Sequence, residues 1–401
     1  MRRRDFLTLL GATVLPMTAQ AKPPGAIDAR LQQAVADKTV AGVVAIAVDR
    51  KHVLYRGAFG VADAATSRPL DPHALFRIAS MTKAITSTAA MQLIEAGKFG
   101  LDDPVAKYLP QLTEPMVIEL PEGEGDYRLR PARRPITVRH LFTHTSGFGY
   151  PFTSATLRDY KPRPGDPAEP LLFDPGERWH YGTSVDWLGR LVEKISGEPL
   201  EDYFHRHIFT RLNMPDTFYN VPADKQARLV AVHHREPDGS IAKEANQPPP
   251  TITMPIGGGG LASTADDYAR FLRMLLNGGT LDGARILTAK SVARMGENQI
   301  GAIGVPALKS ALPARSDDFT FINDGRDKWG LGFLITTEHV AGKRSAGSLS
   351  WGGINNTYFW LDPARGIGGV ILMQFLPFAD PKALAVYDSF ERGVYQLTGK
   401  A

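Results

Sequence analysis

Residues 41–48 read Ala-Gly-Val-Val-Ala-Ile-Ala-Val, without one polar side chain. A strand with one wet face alternates polar and apolar positions, so this run predicts a central strand covered on both faces. A second β-rich run, His52 to Val61, follows Asp49-Arg50-Lys51 and pairs with it as a hairpin. The other strand-like runs of comparable length lie at the far end of the chain: Trp329 to Thr337, Arg344 to Ser350, Asn356 to Leu361 and Ile367 to Phe375. Asp362-Pro363-Ala364-Arg365-Gly366 makes the turn between the last two. The pattern predicts an α/β (α+β) protein in which strands and helices at both ends enclose a largely helical, loop-rich middle.

Helical spacing supports that division. Ala26 to Ala36 predicts a short first helix, and Ala84 to Ala96 a smooth one ended by Gly97. A short helix is expected at Val105 to Tyr108, after Leu101-Asp102-Asp103-Pro104. Val185, Leu188, Val192 and Ile195 share one helix face before Gly197, and a further helix covers Leu200 to Leu212. Ser263 or Thr264 caps a helix over Ala265 to Leu276, which Asn277-Gly278-Gly279 stops, and Lys382 to Leu397 closes the chain. Residues 110–132 and 150–176 are punctuated by Pro and Gly and read as loops.

The N-terminus reads as an export signal. Arg3-Arg4-Asp5-Phe6-Leu7 is a twin-arginine pattern, followed by an apolar stretch to Met17 and a small-x-small site at Ala19-Gln20-Ala21. Residues 1–21 are therefore expected to direct the protein to the periplasm or outside the cell, and the apolar stretch is too short to span a bilayer. With 43% hydrophobic and 22% charged residues, the whole chain has the composition of a soluble globular protein. The formal charge of +4 comes partly from Arg2, Arg3 and Arg4, which leaves no basic field suited to nucleic acid. The chain has no Cys, so it has no disulfides, thiolate metal sites or Cys nucleophile. His205-x-His207 and His233-His234 lack the H-E-x-x-H pattern of a metal-binding helix. No G-x-S-x-G elbow is present, and Gly257 to Gly260 lacks the Lys-Ser/Thr of a phosphate loop.

Chemistry centres on Phe76-Arg77-Ile78-Ala79-Ser80-Met81-Thr82-Lys83, which leads into the Ala84 helix. Three residues make almost one helical turn, so the Lys83 amine rises on the same face as the Ser80 hydroxyl. A serine alcohol becomes an effective nucleophile when a nearby base takes its proton, and a lysine held neutral can be that base. Spacing alone does not decide the matter, because about one such pair is expected by chance in a chain this long. A second, Ser240-Ile241-Ala242-Lys243, lies in turn-rich sequence and is expected in an exposed loop. Tyr181, just before a helix, could relay a proton from the serine to a leaving group. Gly352 and Gly353, at a predicted strand end, allow a ligand close to a backbone N–H.

Taken in order, several motifs together resemble the serine β-lactamase and penicillin-binding-protein-like hydrolases, above all their family VIII carboxylesterase branch, related to class C β-lactamases. They are Ser80-x-x-Lys83, Leu101-Asp102-Asp103-Pro104, Thr143-His144-Thr145-Ser146-Gly147, Tyr181, Gly258-Gly259-Gly260-Leu261, Trp329-Gly330-Leu331-Gly332 and Trp351-Gly352-Gly353. The resemblance implies a β-lactamase/transpeptidase-like fold in two lobes, with Ser80 in the cleft between them. One is a discontinuous α/β lobe of residues 26–110 and 300–401, around an antiparallel sheet flanked by helices, and the other a mainly helical, loop-rich lobe of residues 111–299. It implies that Ser80 is acylated, that Lys83 and Tyr181 serve as general bases, and that the backbone N–H groups of Ser80 and Ile354 form the oxyanion hole. Trp351, Gly352, Gly353 and Thr183 are then the substrate-binding residues, with no cofactor and no metal. Two positions depart from the family. Thr183 replaces the asparagine of a Tyr-x-Asn motif, and Trp351 stands where β-lactamases carry the lysine of Lys-Thr-Gly. Replacing that cation by an indole removes ~1–3 kcal/mol of charge-assisted bonding to a β-lactam carboxylate.

The expected function is hydrolysis of small-molecule carboxylic esters, with short acyl chains, through an acyl-enzyme on Ser80. The alternatives are a β-lactamase or D,D-peptidase acting on cell-wall-like amides, an acyltransferase, and a silent binding homologue. Nucleic-acid partners and stable membrane insertion are not expected.

Overall fold

The computed structural model describes residues 25–120, 126–245, 251–323 and 325–400. The twin-arginine stretch and its cleavage site lie outside the described residues.

The described residues begin with helix α1 (Ala26–Ala36) and the hairpin β1 (Gly42–Asp49) and β2 (Val53–Asp63), followed by the short β3 (Arg68–Pro69). Helix α2 (Thr82–Glu95) comes next, then the helical and irregular middle, which includes α3 (Ser184–Ser196) and α4 (Ala265–Leu276). The C-terminal part supplies β4 (Lys328–Trp329), β5 (Leu334–Thr336), β6 (Ser348–Gly353), β7 (Thr357–Asp362), β8 (Ile367–Leu372) and helix α5 (Pro381–Thr398). These strands form one eight-stranded sheet in the order β4-β5-β6-β7-β8-β1-β2-β3. Every pairing in it is antiparallel.

β1 sits between β2 and β8, pairing Val44 with Leu372 and Asp49 with Ile367. Its apolar run is explained by cover on both faces. Val44, Ile46 and Val48 face the large core shared with α2 and α4, and Val43, Ala45 and Ala47 face α1 and α5. The Arg344 guanidinium is buried beneath α5, with two hydrogen bonds of 2.8 Å to the Glu391 carboxylate and one of 2.7 Å to Tyr387.

Two strand expectations are corrected. The Trp329 to Thr337 run is two strands, broken where Gly332 turns at φ +95° and passes so close to Ser87 that a Cβ would lie 2.2 Å from its Oγ. The Arg344 to Ser350 strand begins only at Ser348, because Gly347 turns at φ +82° and Arg344 is committed to Glu391. The Val105 to Tyr108 helix is a single 3-10 turn, Val105–Lys107. Of the second serine–lysine pair, Ser240 is exposed at the end of a turn, as expected, but its lysine is not in the loop. Ile241–Lys243 is a short strand, and Lys243 bonds Asp63 at 2.8 Å.

Candidate active site

Ser80 lies in a 3-10 turn, Ala79–Met81, which runs directly into α2. The turn packs against β6: a Cβ on Gly353 would stand 2.3 Å from the Ile78 carbonyl oxygen. Ala79 enters the turn at φ +45°, a conformation that costs a residue with a Cβ about 1–2 kcal/mol. Lys83, in the first turn of α2, is 1% exposed.

Its amine makes three hydrogen bonds, donating to Gly258 O at 2.6 Å, to the Tyr150 hydroxyl at 3.2 Å and to Ser80 Oγ at 3.3 Å. It also lies 4.8 Å from the centroid of the Tyr181 ring. An ammonium has three N–H groups and all three are engaged here. A neutral amine that kept its bonds to Gly258 and Tyr150 would turn its lone pair towards Ser80 Oγ, the arrangement a general base requires.

Behind Lys83 stands a carboxylate. Asp186 accepts the Gly258 N–H at 2.6 Å and the Tyr150 hydroxyl at 3.4 Å. Gly258 is therefore held on both of its peptide bonds: its N–H donates to Asp186, and its carbonyl oxygen accepts from Lys83. Burial raises the Asp186 carboxyl above the ordinary range, opposed by the Lys83 charge and the Gly258 N–H. Burial also raises the Tyr150 phenol well above its usual value, reinforced by the Asp186 charge. The His144 imidazole is held well below its ordinary range, first by burial and then by Lys83.

The four-glycine run owes its composition to this crowding. A Cβ on Gly257 would meet the Val185 carbonyl oxygen at 2.3 Å, and one on Gly258 would meet Asp186 Oδ1 at 2.4 Å. Gly260 has φ +103°, whereas a Cβ on Gly259 would find nothing nearer than 3.8 Å.

Tyr181 is buried in a cage of rings. Its centroid is 5.0 Å from that of Trp351, 4.9 Å from His144 and 5.3 Å from Tyr150, and the Trp351 indole N–H donates to its hydroxyl at 3.4 Å. Ser80, Tyr181, Trp351, Gly352 and Ile354 line one cleft, together with Phe152 and Phe378. Gly353 faces Ile78, and Thr183 is the N-cap residue of α3 with its hydroxyl oxygen buried.

The structure thus brings Ser80, Lys83, Tyr181, Trp351, Gly352 and Ile354 together, with Gly353 and Thr183 behind them. Sequence reasoning missed Tyr150 and Asp186. Tyr150 belongs to an irregular loop with no periodicity to mark it. Asp186 had one available signal, a single acidic residue in the first turn of an otherwise apolar-faced helix. Among the described residues, no cluster of His, Asp and Glu has the arrangement of a metal site.

A large antiparallel sheet, a helical middle and a serine–lysine pair at their junction define a serine-hydrolase architecture of the penicillin-recognising kind. The profile of the family described as Beta-lactamase matches residues 27–389, and the chain belongs to that family. Its relatives include an acyltransferase and an esterase. Monacolin J acid methylbutanoyltransferase of Aspergillus terreus is 30% identical, over 96% of this chain and 98% of its own. Esterase EstB of Burkholderia gladioli is 28% identical, over 90% of this chain and 94% of its own. Among solved structures, unliganded simvastatin synthase (LovD) from Aspergillus terreus superimposes with a TM-score of 0.79 at 28% identity. That match covers 94% of this chain and 98% of the other. The protein is therefore a β-lactamase-fold member of a hydrolase and acyltransferase family, similar to enzymes that act on esters.

Proposed function

We propose that the protein is a serine carboxylesterase that passes through an acyl-enzyme on Ser80 and acts on esters with short acyl chains. The reading is carried by the 3.3 Å approach of Lys83 Nζ to Ser80 Oγ, with two phenols, Tyr150 and Tyr181, beside the amine. Lys83 takes the Ser80 proton as Oγ attacks the ester carbonyl. The oxygen of the tetrahedral intermediate is received by the N–H groups of Ser80 and Ile354. Collapse breaks the bond to the alcohol, which leaves with a proton supplied through Tyr181, the proton Lys83 accepted returning through the phenols. Water then attacks the acyl-Ser80 ester by the same steps in reverse order of roles. Trp351, Gly352, Gly353 and Thr183 contribute to the walls and backing of the substrate site, and the indole favours neutral esters over the carboxylate of a β-lactam.

The test is turnover of p-nitrophenyl acetate by the purified protein. It should be lost in Ser80→Ala, and full activity in that variant would sink the assignment. Covalent labelling of Ser80 by a fluorophosphonate would separate an enzyme from a silent homologue.

A second reading is favoured by the near full-length similarity to a methylbutanoyltransferase. The same acyl-enzyme delivers its acyl group to an alcohol when an acceptor displaces water. Adding a primary alcohol to the assay should then produce a new ester at the expense of free acid. Comparison with nitrocefin and a D-Ala-D-Ala peptide tests the amide alternatives. Export through the residue 1–21 signal remains part of the proposal, checked by periplasmic fractionation. Among the described residues no helix is long and apolar enough to cross a membrane.

A further inference from the structure

β5 pairs with β6 only as far as Ser350, opposite Leu334, whereas β7 continues alongside Trp351, Gly352 and Gly353. The far edge of β6 is therefore free of β5 where it passes Ser80, and hollows of very different size open beside it. The one over Ser80 has a volume of about 20 Å³. The other has a volume of about 260 Å³ and lies against the α5 side of the sheet, lined by Phe319, Phe321, Leu334, Tyr358, Leu384 and Tyr387. Trp351, Gly352 and Phe378 line both.

The larger hollow has a continuous aromatic lining. Phe378 lies 5.6 Å from Phe319 and 5.8 Å from Tyr358, which stacks on Tyr387 at 4.9 Å. Two cations reach it, but each already has a carboxylate partner. Lys343 bonds Asp388 at 2.7 Å and Arg344 bonds Glu391 at 2.8 Å. An anion would have to compete with those pairs, so the lining suits an uncharged apolar group. For scale, an apolar cavity of about 150 Å³ binds benzene, and this hollow exceeds that.

We infer that the 260 Å³ hollow beside Trp351 and Phe378 is a binding site for a bulky, uncharged apolar arm of the ester. The substrate class is then an asymmetric ester, with one small side over Ser80 and one bulky apolar arm lying past Phe378. This rests on the acyl-enzyme on Ser80 proposed above; an arm on the acyl part would replace the short acyl chain of that reading. The arm belongs to the acyl or to the alcohol part, and the shared walls serve either.

Leu384→Trp on α5 and Thr320→Trp on the opposite wall should each fill the hollow without touching Ser80, Lys83 or Tyr181. Three esters are compared: p-nitrophenyl acetate as the small reference, p-nitrophenyl decanoate with a long acyl arm, and decyl acetate with a long alcohol arm. Both filling variants should lower kcat/KM at least tenfold for one long ester, mainly through KM, and leave p-nitrophenyl acetate within twofold. Whichever long ester responds identifies the side that carries the arm. If both long esters respond no more than the acetate in a variant that unfolds at the wild-type temperature, the inference is overturned.

Should no ester be turned over at all, the esterase reading fails by itself. The site is then tested by calorimetric titration of 2-naphthol into Ser80→Ala with and without Leu384→Trp. At least tenfold weaker binding in the filled variant supports the site, and equal affinity rejects it.

Discussion

Gly258→Ala probes the centre of the site with one methyl group. The new Cβ would stand 2.4 Å from Asp186 Oδ1, 3.0 Å from Asp186 Cγ and 3.0 Å from the Tyr150 hydroxyl. Asp186 cannot simply swing aside, because it is half-buried and already bonded to the Gly258 N–H. Either the carboxylate leaves Gly258 and Tyr150, or the 257–260 backbone moves and carries the Gly258 carbonyl away from Lys83. Overpacking of this kind costs ~1–3 kcal/mol, and loss of one charge-assisted hydrogen bond adds ~1.5–3 kcal/mol. A total of ~3–5 kcal/mol of stability is expected. Loss of the Lys83 anchor alone would lower kcat/KM by roughly 10- to 150-fold. The run contains its own control. Gly259→Ala meets nothing nearer than 3.8 Å and should stay within about 0.5 kcal/mol and twofold in rate. Thermal unfolding and p-nitrophenyl acetate turnover on both variants decide it. Wild-type kcat/KM in Gly258→Ala, or equal damage in both, would refute the idea that this peptide positions Lys83.

Three other outcomes follow from the same structure. Trp351→Phe keeps an aromatic face but removes the indole N–H that donates to Tyr181, so kcat should fall about 2- to 10-fold with little change in KM. Glu391→Ala would leave the Arg344 guanidinium buried without its carboxylate, and chemical denaturation should register a loss of ~3–5 kcal/mol. Burial pushes the Asp267 carboxyl up to about 6, against hydrogen bonds from Asp216 and Thr217 that lower it. Because the folded value lies above the unfolded one, its contribution is full below pH ~4 and is lost as pH rises through 6. Asp267→Asn, which stays uncharged, should therefore stabilise the protein by up to ~3 kcal/mol above that window and by nothing below it. Equal stabilisation at pH 4 and pH 8 would contradict that assignment.

Features governed by local pattern were legible before the structure. The unbroken apolar run of β1, its hairpin with β2 and the caps of α4 all follow from periodicity and turn residues, while the antiparallel sheet flanked by helices came with the family resemblance. Ser80 and Lys83 were visible because they share a helical turn. What escaped was the part of the site assembled from distant segments. Tyr150, Asp186 and Gly258 meet at Lys83 from three separate stretches, and none signals the others. The four glycines were readable as a tight turn, yet the reason for two of them is the carbonyl of Val185 and the carboxylate of Asp186, which only packing reveals. The β6 boundary moved for a similar reason: Arg344 has strand-like neighbours in sequence but is held by Glu391, a residue of α5.

The pairing of β1 with β8 also bears on how the chain comes off the ribosome. Asp49 must find Ile367, more than 300 positions later, before the middle of the sheet can close. At ordinary synthesis rates that partner emerges on the order of 15–60 s after β1 does. Through that interval β2 is the one sheet neighbour that β1 can pair with, and the strand keeps its other hydrogen-bonding edge open and the face it shares with α5 only partly covered. The nascent protein therefore passes through a long, sticky stage, and its yield should respond to holdase chaperones and to translation speed far more than its final stability would suggest.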